Sequence, residues 1–153
     1  EGQTALRGKI NEDVLRFCLS SPFFEKPPPK SLDRNAFDDT LYDWMTLEDG
    51  AATLTAFTAQ AIAKSQSYLP EHPRLWIVSG GGRKNMTLMR EISARVKGSV
   101  LSAENFNLDG DALEAEAWGY LAVRALKGLP ITFPGTTGVK EPLTGGVICS
   151  PSS

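Results

Sequence analysis

Apolar residues recur at helical spacing along most of this chain, and prolines or glycines interrupt them at discrete points. Asn11-Glu12-Asp13 opens the first such pattern, with Val14, Leu15, Cys18 and Leu19 on one face, ending near Pro22. Pro27, Pro28 and Pro29 lie within residues 23–31; their fixed φ favours a stiff extended connector over a helix. Asp33 or Asn35 starts a further helical pattern carrying Phe37, Leu41, Trp44 and Met45. An Ala-rich helix follows from about Asp49 to Tyr68, with Leu54, Phe57, Ala61 and Ile62 turned inward, until Pro70 and Pro73 break it.

The pattern then changes period. Leu75-Trp76-Ile77-Val78-Ser79 reads as a buried strand that stops at Gly80-Gly81-Gly82. Asn85 caps the next helix, whose face carries Leu88, Met89, Ile92 and Val96; Gly98 closes it in a left-handed position. Val100-Leu101 is a short strand, so 75–102 forms a β-α-β unit and its two strands run parallel. Asp111-Ala112-Leu113-Glu114 has capping-box spacing ahead of a helix that runs to Leu126 and stops at Gly128. Val147-Ile148-Cys149 reads as a last strand. The expected class is α/β, rich in helix, with a sheet small for so many helices.

The glycine turn carries the chemistry. Three consecutive glycines allow a sharp turn and leave bare backbone on which a flat ligand can lie. Nucleotides are seated by such turns at the carboxyl ends of parallel strands. The same residues also serve as a tight strand-to-helix turn with no ligand, and the local pattern leaves both readings open.

Composition narrows the partners. The 153 residues suit one domain, and 41% are apolar, enough for a core. A net charge of −2 argues against a nucleic-acid surface. No apolar run is long enough to span a membrane, so no membrane partner is expected. Cys18 falls in an apolar helical pattern as a core thiol, far from Cys149; reduced cytosolic thiols fit better than a disulfide. The chain begins Glu1-Gly2-Gln3-Thr4-Ala5, which reads like the interior of a longer protein.

Signatures of catalysis are sparse. His72, the single histidine, stands between prolines in a loop and has no partners for a Ser-His-Asp system. There is no P-loop motif and no Cys/His metal spacing. Asp38-Asp39 reads as a solvated helical face, and Asp109 and Asp111 as acidic residues at the positive end of a helix. Lys30 and Arg34 flank the proline segment, where they would meet phosphate or carboxylate or serve solubility. Trp44 and Trp118 are expected to pack against a core. No residue offers itself as a general base, so the catalytic residues stay unassigned.

Four segments together resemble the anhydro-N-acetylmuramic acid kinases. Pro28-Pro29-Lys30-Ser31 with Arg34 and Phe37 resembles the family's P-P-K-S-x-x-R-x-x-F motif. Gly80-Gly81-Gly82-Arg83-Lys84-Asn85 with Leu88-Met89 is similar to its G-G-G-x-x-N-x-x-L-M. Asp111, Glu114-Ala115 and Ala117-Trp118 resemble its D-x-x-E-A-x-A-F helix. Gly128-Leu129-Pro130, Thr137-Gly138 and Gly145-Gly146 follow in the family's order. Residues 133–138 depart from the commoner Pro-Ser-Val-Thr-Gly form, so no role is carried to Thr136.

The resemblance implies a two-lobed ATPase of the sugar-kinase, Hsp70 and actin superfamily, with a ribonuclease H-like fold and a small mixed sheet. Residues 1–153 would be its C-terminal nucleotide-binding lobe, and the N-terminal lobe, with the phosphate loop and the Asp base, lies outside this chain. It implies a cytoplasmic bacterial kinase of peptidoglycan recycling that opens 1,6-anhydro-N-acetylmuramic acid with water and phosphorylates its 6-oxygen, using ATP and Mg²⁺. Gly80, Gly81, Gly82 and Asn85 would lie beside adenine and ribose, and Glu114 would bind substrate or support the site. Apolar surface left open by the other lobe would favour a homodimer. Two rivals remain: another sugar kinase or acetate-kinase-like member of the superfamily, and a non-catalytic helical interaction domain.

Overall fold

The computed structural model describes residues 1–33, 36 and 42–149. The expected helix from Asp33 or Asn35 through Phe37 and Leu41, with Arg34 and Asp38-Asp39, falls largely outside them. Trp44 and Met45, at its end, lie in a turn.

One long helix organises the fold. Short α1 (Gln3–Arg7) and α2 (Glu12–Leu19) lead to α3 (Leu47–Lys64), which packs against both. Thr46 caps α3 by accepting the Asp49 amide at 3.1 Å, and Asn11 caps α2 by accepting from Asp13 and Val14. The buried positions of α3 are Gly50, Ala52, Thr53, Ala56, Ala59 and Ala63. Small residues at that spacing let the neighbouring helices approach closely, and Ala56 and Ala59 are wholly enclosed. The expected inward face is therefore corrected: Leu54 is 41% exposed, and Phe57, Ala61 and Ile62 are only half-buried. Crowding by α1, α2 and the helix at Met86–Ser93 leaves no width for large side chains there. Thr53, 1% exposed, links two elements: its hydroxyl accepts from the Asn11 amide at 3.0 Å and donates to the Asp49 carbonyl at 2.7 Å.

The proline segment departs from a fully extended connector. Pro22–Glu25 forms a single 3₁₀ turn capped by Ser21, and the chain extends only after it. Cys18 is buried as expected, 3.3 Å from the Tyr42 hydroxyl, and neither cysteine is in a disulfide.

The β-α-β unit forms. β1 (Leu75–Val78) pairs in parallel with β2 (Ser99–Ser102), in register Leu75 to Ser99 through Val78 to Ser102. Between them lies α4 (Met86–Ser93), which packs on β2 and α3 and buries Ile92 to 2% exposure. Gly98 has φ +96, but it sits several residues after α4 ends and not at its cap. It is required there for a second reason: a Cβ would come within 2.4 Å of the Pro73 carbonyl, where β2 enters alongside β1.

Three further expectations are corrected. The sheet is a parallel pair, not mixed; the antiparallel pairing among described residues is an isolated bridge between Thr132 and Leu143. β1 is not buried, because Leu75, Ile77 and Leu101 share an open face that no layer covers among the described residues. Val147 to Cys149 form no strand, and Val147 and Ile148 are exposed.

α5 (Leu113–Leu126) ends as expected. Gly128, at φ +64, donates to Ala125, and Leu129 donates to Arg124, a Schellman closure. α5 buries none of its residues: Trp118 is 66% exposed, and Tyr120, Val123 and Leu126 are exposed too. The expected core packing of Trp118 and of Trp44, which is also exposed, does not occur within this chain. A short α6 (Pro134–Thr137) ends in Gly138 at φ +75. No described helix is long and apolar enough to cross a membrane.

Candidate functional site

The site is built around the turn that leaves β1. Gly80 has φ +73 and ψ −179, a region open essentially to glycine alone. Gly81–Lys84 then winds one 3₁₀ turn into α4. Gly81 differs from Gly80. Its φ is not positive, and a Cβ built on it meets no atom within 4 Å. Nothing described in the chain requires glycine at 81, and the space above it is open. The amides of Gly81 and Gly82 have no acceptor among the described residues. Bare backbone, open volume and unspent donors together suit a flat, anionic ligand.

Asn85 fills the capping role. Its Oδ1 accepts the Leu88 amide at 3.0 Å, while Gly2 packs against it so closely that a Cβ there would lie 2.1 Å from that oxygen. Thr87 donates to the Gly2 carbonyl at 2.9 Å, so the chain start is fastened beside the turn. The Asn85 amide NH₂ makes no hydrogen bond to a described residue.

The turn is braced by ion pairs that sequence reading did not identify. Arg83 is buried, its side chain 6% exposed. Its Nε donates to Glu104 Oε1 at 2.6 Å, and its Nη1 donates to the Gly80 carbonyl at 2.8 Å and to Asp111 Oδ1 at 2.9 Å. Lys84 donates to the other Asp111 oxygen at 2.7 Å. Gly80 in turn donates to the Gly110 carbonyl at 2.8 Å. The hydrogen bonds from Arg83 and then Lys84 hold the Asp111 carboxyl well below the usual range. Glu104 is lowered by its own backbone amide and then by Arg83, while Asp111 and then Glu104 raise the guanidinium further.

The capping box expected at Asp111–Glu114 is absent. α5 has no side-chain cap, because the Asp111 carboxylate is committed to Arg83 and Lys84. Asp109 takes the local role and accepts from the amides of Asp111 and Ala112. Glu114 is exposed in the first turn of α5, three positions past Asp111, with no side-chain partner among the described residues. The structure thus joins the 80–85 turn to the 109–111 loop from which the helix of Glu114 begins. No spacing rule links Arg83-Lys84 to the distant Asp109-Gly110-Asp111 run, so the sequence carried no signal for this pairing.

Lys30 is held within the fold. Its ammonium donates to the carbonyls of Phe23 and Phe24 and to the Tyr68 hydroxyl, and lies over the Phe23 and Tyr68 rings. It borders a cavity of about 770 Å³ between the 23–30 segment and the end of α3. His72 is exposed in its loop, 3.1 Å from the Lys97 ammonium. Among the described residues no three His, Cys, Asp or Glu side chains gather as metal ligands.

The family model for anhydro-N-acetylmuramic acid kinase matches residues 1–151. The chain belongs to the anhydro-N-acetylmuramic acid kinase family. Relatives of that name include one from Methylorubrum populi, 52% identical over 99% of this chain, and one from Rhodopseudomonas palustris, 54% identical over 99%. A third, from Rhizobium etli, is 54% identical over 98%. The chain covers 40%, 41% and 41% of these relatives, so it spans about two fifths of the length of the anhydro-N-acetylmuramic acid kinases it matches.

Proposed function

We propose that residues 1–153 form the C-terminal, nucleotide-binding lobe of a two-lobed kinase with the actin-like, ribonuclease H-like fold, and that ATP lies against the Gly80–Gly82 turn. One observation carries this reading: Gly81 is glycine with neither a backbone nor a packing reason among the described residues, beneath open space. Family membership supports the following reaction for the full-length kinase. Water adds across the anhydro bridge of 1,6-anhydro-N-acetylmuramic acid, the γ-phosphoryl group passes to the freed 6-oxygen, and N-acetylmuramic acid 6-phosphate and ADP leave. The setting is the cytoplasm of a bacterium that recycles its peptidoglycan.

Phosphoryl transfer is achieved mostly by positioning and charge stabilisation. In this lobe, the Gly81 and Gly82 backbone receives the nucleotide, the Asn85 amide adds a polar contact at its edge, and Glu114 supports the sugar from the start of α5. Closure of the two lobes would exclude water that otherwise hydrolyses ATP. Mg²⁺ neutralises the nucleotide phosphates in such reactions. The uncovered faces of β1–β2 and α5 are where the remaining kinase polypeptide, or a second copy in a homodimer, would pack.

Turnover by the full-length kinase is the test, with 1,6-anhydro-N-acetylmuramic acid, N-acetylglucosamine and N-acetylmuramic acid compared as acceptors. Transfer confined to the anhydro sugar is expected. Equal or preferred transfer to either of the others would replace this substrate with another of the superfamily.

A further inference from the structure

We propose that Arg83 is a positioning residue for ATP: through Glu104, Asp111 and the Gly80 carbonyl it holds the glycine turn in the shape that receives the nucleotide. The proposal rests on the placement of ATP at that turn. Its basis is geometric. Gly80 is anchored at both polar backbone groups, its carbonyl by Arg83 and its amide by Gly110. Arg83 itself packs against Gly110, where an added Cβ would come within 2.3 Å of Nε and 2.6 Å of Cζ. The guanidinium therefore fills the gap between the turn, the 3₁₀ turn at Ala103–Phe106 and the 109–111 loop.

A neutral apolar side chain could fill that volume. It could not fix Gly80, because only a forked donor reaches a carbonyl and two carboxylates at once. The clamp is also independent of the family motif, in which positions 83 and 84 of G-G-G-x-x-N are open. The ligand-facing residues are thus glycines with no side chain to hold their own shape, and the shape comes from a residue behind them. Flexible glycine turns lose affinity by having to order on binding; a turn already ordered avoids that cost.

The test measures ATP KM, sugar KM and kcat in the full-length kinase for Arg83→Met, Arg83→Lys and Gly110→Ala, with Gly81→Val alongside. Arg83→Met is expected to raise the ATP KM about tenfold or more, with sugar KM and kcat at saturating ATP within about twofold; tenfold corresponds to about 1.4 kcal/mol. Arg83→Lys should recover part of the loss by restoring charge without the fork. Gly110→Ala should reproduce the ATP defect without removing any charge, and it serves as the deciding variant if Arg83→Met does not fold. An unchanged ATP KM in folded Arg83→Met or in Gly110→Ala, while Gly81→Val is impaired, would overturn the positioning role and leave the ATP placement intact. An unchanged ATP KM in Gly81→Val would overturn the placement itself.

Discussion

Gly81→Val separates a ligand seat from a mere turn. At Gly81 an added Cβ meets nothing within 4 Å, and the φ is not positive. Folding should therefore change little: reduced freedom of the unfolded chain favours the variant by about 0.4–1 kcal/mol, and the β-branch in a helical turn offsets part of that. Binding should change much more. A ring lying at van der Waals distance, about 3.5–4 Å from the Cα, must lift or tilt to clear an isopropyl group, and a gap of even about 1 Å forfeits up to half of each dispersion contact. Summed over the ring, such losses should raise the ATP KM about tenfold or more, which is about 1.4 kcal/mol or more. The assay is steady-state kinetics of the full-length kinase with ATP varied at saturating sugar, beside a thermal melt. An unchanged ATP KM in a normally folded variant would refute the reasoning. A collapsed melting temperature would refute the claim that the space above Gly81 is open.

Other outcomes follow from packing and charge. Ile92→Ala, at 2% exposure beneath β2, should cost about 2–5 kcal/mol in denaturant unfolding. Thr53→Val removes the acceptor of the Asn11 amide and should cost about 1–3 kcal/mol by the same measurement. Ala56→Leu, at a wholly enclosed contact of α3, should destabilise by about 1–3 kcal/mol, whereas Leu54→Ala on the exposed side should cost far less. The Asp111 and Glu104 carboxyls are lowered in the fold from ordinary values of 3.8 and 4.5. The unfolded chain binds protons first as pH falls, so their contribution is full above about pH 5 and is lost as acid approaches the lowered folded values. Melting temperatures should drop between pH 5 and 3, and less steeply in Asp111→Asn.

Several local signals, with partners within a few residues, were legible. Asn11, Asn85 and Gly128 cap or close their helices by contacts three to five positions away, and each does so in the fold. The parallel pairing of β1 and β2 was legible because one helix between two strands permits little else. What failed involved distant competition. Asp111 has capping-box spacing, yet Arg83 and Lys84, 28 and 27 positions earlier, take its carboxylate. Leu54 has the periodicity of a core residue, but α3 turns its alanines to α1, α2 and α4. Val147 to Cys149 are apolar enough for a strand and find no strand to pair with. The glycine turn was legible as a candidate, while the buried arginine that braces it was not, since single residues of opposite charge far apart carry no spacing rule.

A crystal structure of the full-length kinase with ADP would show whether the Gly80–Gly82 turn seats the nucleotide. The adenosine is expected in van der Waals contact with the Gly81 backbone, within about 4 Å, with Arg83 still paired to Glu104 and Asp111 behind it. A nucleotide bound elsewhere, with the space above Gly81 filled by solvent or by the enzyme's own side chains, would contradict it.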